Sequence, residues 1–276
     1  MEGFFRFARN RGALFGVFVI LAIVVLAACA DIFYPRDALR IVGPPELWPL
    51  EDERFLLGTD SLGRDIAAMI AHGARESLLI GVASCLAATI IGVGIGATAG
   101  FFGGRIEQGA MFVTELFQVV PGLILVLGVV SILGSALPNI IAAIALASWT
   151  PIARLTRAEF LSWRSRPFVL ACRSIGMGPL RIMLTEILPN AMPPVAVFSS
   201  LVVAGAILFE SAISFLGLGD PNRASWGRLI GEGRELIRSS WYICAIPGVA
   251  IMLTVLALNL IGDGLNDAMN PKLRDR

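Results

Sequence analysis

The sequence predicts an all-α membrane protein of about six transmembrane helices. Composition gives the first reason: 56% of its 276 residues are hydrophobic and 16% are charged, with a mean hydropathy of +0.78. A soluble domain carries roughly a quarter charged residues. Segmentation gives the second. Crossing a hydrocarbon core takes about 20 apolar residues, and six runs are candidates: 14–33, 77–99, 110–133, 137–152, 194–216 and 243–261. The fourth is the shortest. An arginine-rich block, 154–190, separates the fourth run from the fifth and gives the third reason.

The first run follows Arg6, Arg9 and Arg11 and contains Ala28-Cys29-Ala30, features shared with secretory leaders. It exceeds the 7–15 apolar residues of a typical leader, so it is read as a retained first span. The second run carries Gly92 and Gly96, and Gly100 and Gly104 continue the spacing. Residues four apart share a helix face, so the stripe either admits a second backbone at close range or serves as a hinge or pore-lining seam. Pro121 interrupts the third run, and Pro138 and Pro151 bracket the fourth, so kinks are expected there.

Glu115 and Glu210 are the acids placed within spans. A carboxylate in hydrocarbon marks a functional site if it faces the bundle interior, so both are candidates for translocation or for buried acids; an interfacial or helix-packing role is the alternative. Ser211 and Ser214 flank Glu210 as hydrogen-bond partners. Cys29, Cys85 and Cys244 fall in spans and Cys172 in the basic block, which reads as small core residues rather than a disulfide framework.

Placing the N-terminus in the cytoplasm puts thirteen of the 22 basic residues inside. Six of these, Arg154, Arg157, Arg164, Arg166, Arg173 and Arg181, lie in the basic block. Both termini are therefore expected in the cytoplasm. The chain divides on this reading into 1–75, a first span with an extracytoplasmic loop, and 76–276, a membrane core with cytoplasmic loop 154–190. The first outer segment ends in Leu62, Ile66, Met69 and Ile70 at helical spacing, expected to form an amphipathic helix along the outer interface. The second, 219–241, contains Arg223, Trp226 and Arg228 as candidate docking residues, or else is a solvated loop.

Much chemistry is excluded. The single lysine, Lys272, lies outside any Gly-x-x-x-x-Gly-Lys-Ser/Thr sequence, so the chain has no P-loop. The single histidine, His72, has no nucleophile-and-acid constellation around it in sequence, and Cys-x-x-Cys and His-Glu-x-x-His spacings are missing. No catalytic, cofactor-binding or metal-ligating residue is therefore expected. A net charge of +1 argues against a nucleic-acid partner.

Within the basic block, Phe168-Val169-Leu170-Ala171-Cys172-Arg173-Ser174-Ile175-Gly176 places Phe168, Val169, Cys172 and Ile175 on one helical side. Arg173 and Ser174 fall toward the other, and Gly176 permits a turn. Such a helix either inserts its apolar face into a partner's groove or lies on the membrane surface.

This stretch, followed by Ile187-Leu188-Pro189-Asn190, resembles the cytoplasmic Glu-Ala-Ala loop of ABC importer permeases. Three further stretches resemble the dipeptide, oligopeptide and nickel branch of that family. They are Leu57-Gly58-Thr59-Asp60-Ser61-Leu62-Gly63-Arg64-Asp65, Ser214-Phe215-Leu216-Gly217-Leu218-Gly219 with Ser225-Trp226-Gly227, and Asn259 through Asp267. The likeness runs from about residue 55 to the end. Leu170 departs from it at the motif's glutamate, Cys172 at its second alanine, and Glu186 at a position that is often histidine. The first departure puts any polar contact of the family glutamate with the ATPase in doubt.

The resemblance implies a type I ABC importer permease fold with a cytoplasmic coupling helix formed by residues 168–176. It implies the C-type permease of a heterodimer, forming half of a translocation pathway in the bacterial inner membrane. Partners would be a second permease, two ABC ATPases that hold the ATP and Mg, and an extracytoplasmic binding protein. Di- or oligopeptides are the leading cargo; nickel or another small solute is the alternative. A stand-alone ion-coupled transporter using Glu115 or Glu210 would work without ATPases, and a structural scaffold would transport nothing.

Overall fold

The computed structural model describes residues 7–35 and 37–269. Arg6, Arg36, Lys272, Arg274 and Arg276, which enter the orientation argument, lie outside these. The described residues form helices α1 (Arg11–Ala28), α2 (Ile66–Phe102), α3 (Gly104–Val119), α4 (Gly122–Leu133), α5 (Leu137–Trp163), α6 (Pro167–Ser174), α7 (Leu188–Phe215), α8 (Trp226–Gly233) and α9 (Tyr242–Met269). Short turns of helix at Ala30–Phe33, Pro179–Arg181 and Arg234–Leu236 and a π-helical turn at Ile182–Ile187 complete them.

The helix ends follow from local chemistry. Asn10 caps α1 by accepting from the Ala13 amide at 3.1 Å, and Asp65 caps α2 by accepting from the Ala67 amide at 2.9 Å. α2 has 37 residues, about 55 Å at 1.5 Å per residue. It absorbs the stretch expected on the outer interface: Ile66, Met69 and Ile70 are buried at its start, and Leu62 alone is exposed, in the preceding loop. The stripe is covered because Trp226 packs on it. The division at 75/76 consequently falls inside a continuous helix.

α5 likewise outruns its expected end at 152. Pro138 sits in its first turn, where no amide bond is lost, and the helix continues through Pro151 to Trp163. Residues 154–163 are thus helix, and the basic loop begins only beyond them. The expected break at Pro121 is larger than a kink, since α3 and α4 meet at 85°.

Packing fixes the direction of each crossing. Gly92 lies against Trp149 and Ile152, Gly96 against Ala153 and Thr156, and Gly100 against Arg157 and Phe160. The order rises on both sides, so α2 and α5 run parallel. Parallel neighbours require the intervening chain to return across the bilayer, and α3 with α4 supplies that bent crossing. Gly104 leaves the stripe, has no neighbour within 4 Å at its missing Cβ, and opens α3. α1 runs antiparallel to α9: Gly16 meets Ala257 and Ile261 while Gly264 meets Ala13, and Asn10 donates to Asp267 at 3.2 Å. Five helical segments are long and apolar enough to cross, and the bent pair makes six. Arg11 and Met269 end on the face that carries α6.

Gly96→Leu is expected to lower stability by about 1–3 kcal/mol or more, because its Cβ would overlap the Ala153 carbonyl. Gly109→Ala, with open space around it, should be neutral or stabilising by up to about 1 kcal/mol. Thermal unfolding of both variants in detergent reads the contrast; equal melting would show that the α2–α5 approach tolerates a side chain.

Candidate functional site

Residues 164–187 join α5 to α7 and lie against the end of α2. Pro167 occupies the first turn of α6, and the helix closes on Gly176, whose φ of 80° suits glycine. The Gly176 amide donates to the Arg173 carbonyl and the Met177 amide to the Cys172 carbonyl, both at 3.0 Å, the paired bonds of a Schellman stop. Val169 is fully buried, with Phe160, Ile182, Met183 and Ile187 in one cluster that Cys172 adjoins. Phe168 leans on Trp163, ring centroids 6.1 Å apart.

The exposed face matches the stripe expected from spacing only in part: Phe168 and Ile175 are exposed, Val169 is buried and Cys172 half-buried. Val169 and Cys172 anchor the helix to its own chain, while Leu170 and Ile175 stand 50% and 78% exposed. Ala171 and Ser174 are exposed beside them. The helix is short enough that the anchoring core takes the residues of highest register with Phe160 and Ile187. What remains is an apolar and small-residue surface pointing away from the spans.

At the opposite end, a cap is built from loop 37–65 and α8. Thr59 and Asp60 are buried; Asp60 accepts from the Leu62 amide at 2.9 Å and the Arg64 amide at 2.8 Å. Burial pushes the Asp60 carboxyl up from its ordinary range, against those bonds and the Arg64 guanidinium. Arg64 reaches Glu232 at 3.0 Å, and Glu232 also holds Arg228 at 2.8 Å. The link between its two halves was not legible from spacing, since Arg64 and Glu232 are 168 residues apart.

The three docking candidates separate accordingly. Trp226 is 1% exposed and donates from Nε1 to the Ile70 carbonyl at 3.0 Å, so it is core and not docking surface. Arg228 is held by Glu232. Arg223 is half-exposed and pairs with Glu76 and Asp220.

The two acids also part. Glu115 is exposed on α3, so the expectation of burial fails there: α3 packs through Thr114, which is buried, and Phe117, which stacks on Trp149, and leaves Glu115 on its open side. Glu210 is 1% exposed and receives hydrogen bonds from Ser214 at 2.7 Å, Ser77 at 3.3 Å and Ser211 at 3.5 Å. It joins α7 to α2 near their outer ends. Between the break and α7 lies a cleft of ≈ 380 Å³ lined by Phe117, Gln118, Gly122, Ser148, Thr150 and Phe209 among others. Of its lining residues only Pro151 stood out in the sequence, as a kink, and the Pro121-Gly122 pair was the signal for the cleft.

The remaining motifs have structural causes. After α7, Gly217 takes φ 81° and the Leu218 amide donates to the Ile213 carbonyl at 2.9 Å, a second Schellman stop. Gly262 and Gly264 admit Ser200 of α7 and Ala13 of α1 against α9.

Comparison with known proteins supplies the family. Residues 92–275 match the family described as "Binding-protein-dependent transport system inner membrane component". Residues 2–43 match the "N-terminal TM domain of oligopeptide transport permease C". The chain is 41% identical to the di/tripeptide transport system permease protein DppC of Pseudomonas aeruginosa, over 98% of this chain and 91% of that one. It is 35% identical to the dipeptide transport system permease protein DppC of Haemophilus influenzae, over 99% and 95%. Identity to the glutathione transport system permease protein GsiD of Pectobacterium atrosepticum is 34%, over 98% and 90%. A solved structure of the inward-facing MetNI methionine ABC transporter matches with a TM-score of 0.59 at 18% identity, covering 72% of this chain and 95% of that one. The architecture is the expected type I ABC importer permease fold, and the chain belongs to the family of binding-protein-dependent transport system inner membrane components.

Proposed function

We propose that this chain is one of two permease subunits of an ATP-driven importer of di- or oligopeptides in the bacterial cytoplasmic membrane. The observation that carries the reading is α6, a short helix anchored by Val169 and Cys172 that presents Leu170, Ala171, Ser174 and Ile175 outward. A surface of this kind suits insertion into a groove of a partner protein. Its partner on this reading is one of two ATPase chains that bind ATP and Mg. The lack of a P-loop in this chain fits that division of labour.

Orientation follows. With α6 in the cytoplasm, both described ends lie there too, and the cap of loop 37–65 and α8 faces a binding protein outside. Peptide is favoured over nickel because the relatives named above carry peptide or glutathione transport in their names. Leu170 replaces the motif's glutamate with an apolar contact at the same exposed place. Import would alternate between outward-facing and inward-facing populations that ATP biases through its unequal affinity for them.

The decisive experiment is purification of the tagged chain from its native membrane in mild detergent, with mass spectrometry of what accompanies it. A second permease and P-loop ATPases in fixed ratio are expected. A chain that purifies alone and transports in vesicles without ATP would replace this reading with an ion-coupled carrier.

Ile175→Asp is expected to leave insertion intact and to cut ATP-dependent uptake roughly thirtyfold, the loss of a hot-spot contact worth about 2 kcal/mol. Val169→Asp should instead reduce the yield of folded protein, since it buries a carboxylate among apolar side chains. The reverse pattern would mean that the helix docks by its other face. Glu210→Gln is expected to retain most uptake. Glu210→Leu strands three serine hydroxyls at about 1–3 kcal/mol each and should fail in assembly; full uptake by the leucine variant would show that the serine cluster contributes nothing.

A further inference from the structure

Resting on the coupling reading of α6, a question remains about how its displacement reaches the outer half of the chain. α6 is joined covalently to α5 and, through the π turn, to α7. Both routes are interrupted in their backbone ladders. α7 is preceded by six π-helical residues and contains Pro193 and Pro194 after Pro189 in its first turn. α5 contains Pro151. Each such site removes or shifts an i→i−4 bond and lets a helix bend.

α2 offers a third route without covalent linkage. It contains no proline along its 37 residues, and the coupling segment grips its end at two points. The Arg164 Nη1 donates to the Gly100 carbonyl at 3.1 Å, one of the terminal carbonyls that a helix leaves without an internal partner. The Arg173 guanidinium lies over Phe101, 5.5 Å from the ring centroid, within cation–π range. Phe101 is itself buried in the cluster that holds Val169.

The far end of α2 is gripped as firmly. Trp226 of the cap bonds the Ile70 carbonyl, and Ser77 bonds Glu210. The stripe from Gly92 to Gly100 keeps the rod against α5 along the way.

We propose that Arg164 and Arg173 are positioning residues that tie the coupling segment to the end of α2, making α2 the stiff element that carries α6 displacement to the outer cap. Arg173 acts through Phe101, not through the ATPase. The two can be told apart because Phe101 is buried and offers the ATPase no contact.

The test is a double-mutant cycle in proteoliposomes that hold the permease pair, its ATPases and its binding protein. Arg173→Gln and Phe101→Leu are each expected to lower peptide imported per ATP hydrolysed by about five- to tenfold, and the double variant no further. Arg173→Lys should recover part of the loss, and Arg164→Gln should share the phenotype. Losses that multiply in the double variant, or an unchanged import-to-hydrolysis ratio, overturn the proposal. If a single variant assembles poorly, a covalent substitute decides: with Phe101→Cys and Arg173→Cys in a background lacking the native cysteines, a short bis-maleimide is expected to restore uptake lost in the unlinked pair. Linked protein that stays uncoupled overturns it. A wild-type complex that carries no ATPase, or that imports without ATP, sinks the coupling reading itself and not only the role of α2.

Discussion

The close approach of α2 to α5 is the constraint on which the rest of this structure depends. In a bilayer, apolar side chains gain nothing by leaving lipid for protein, so association falls to van der Waals packing and hydrogen bonds. Three glycines at four-residue spacing let the α5 backbone come within contact of α2. That parallel pairing forces α3 and α4 to form a return crossing, places the cap of loop 37–65 and α8 at one end of α2, and brings α6 to the other.

Most polar groups at the two ends meet a second constraint, that buried polar atoms find partners, although Asp60 Oδ2 and Arg64 Nε in the cap make no hydrogen bond. The Gly100 carbonyl finds Arg164, the Ile70 carbonyl finds Trp226, and Glu210 finds three serines. The bonds from Arg164, Trp226 and Ser77 cross between elements distant in sequence, whereas those from Ser211 and Ser214 stay within α7. Arginine serves this well at the inner face because its guanidinium both donates and stacks on aromatic rings, as Arg173 does on Phe101 and Arg166 on Trp163.

The motifs that carried the family resemblance prove to be mostly architectural. Residues 57–65 fold into the cap around Asp60, residues 214–219 end α7, and the glycines of 259–267 seat α1 and α7 against α9. The motif at 168–176 differs, since it leaves apolar side chains outside a completed core.

Sequence by itself determined the class, the count of about six crossings, the break at Pro121, a glycine stripe open to close packing, and a short helix at residues 168–176. These follow from apolar length, the missing amide of proline and the missing Cβ of glycine, all properties of residues near one another in the chain. Tertiary structure decided which face of α6 is free, that Trp226 is core, that Glu115 is exposed while Glu210 is buried, and that the stretch at Leu62 to Ile70 opens a span rather than lying on the membrane. In each case the deciding partner is distant in sequence or is set by how helices pack. An amphipathic spacing reports that a helix has an apolar side, but only the neighbour that arrives determines whether that side meets lipid, a partner protein or the chain's own core.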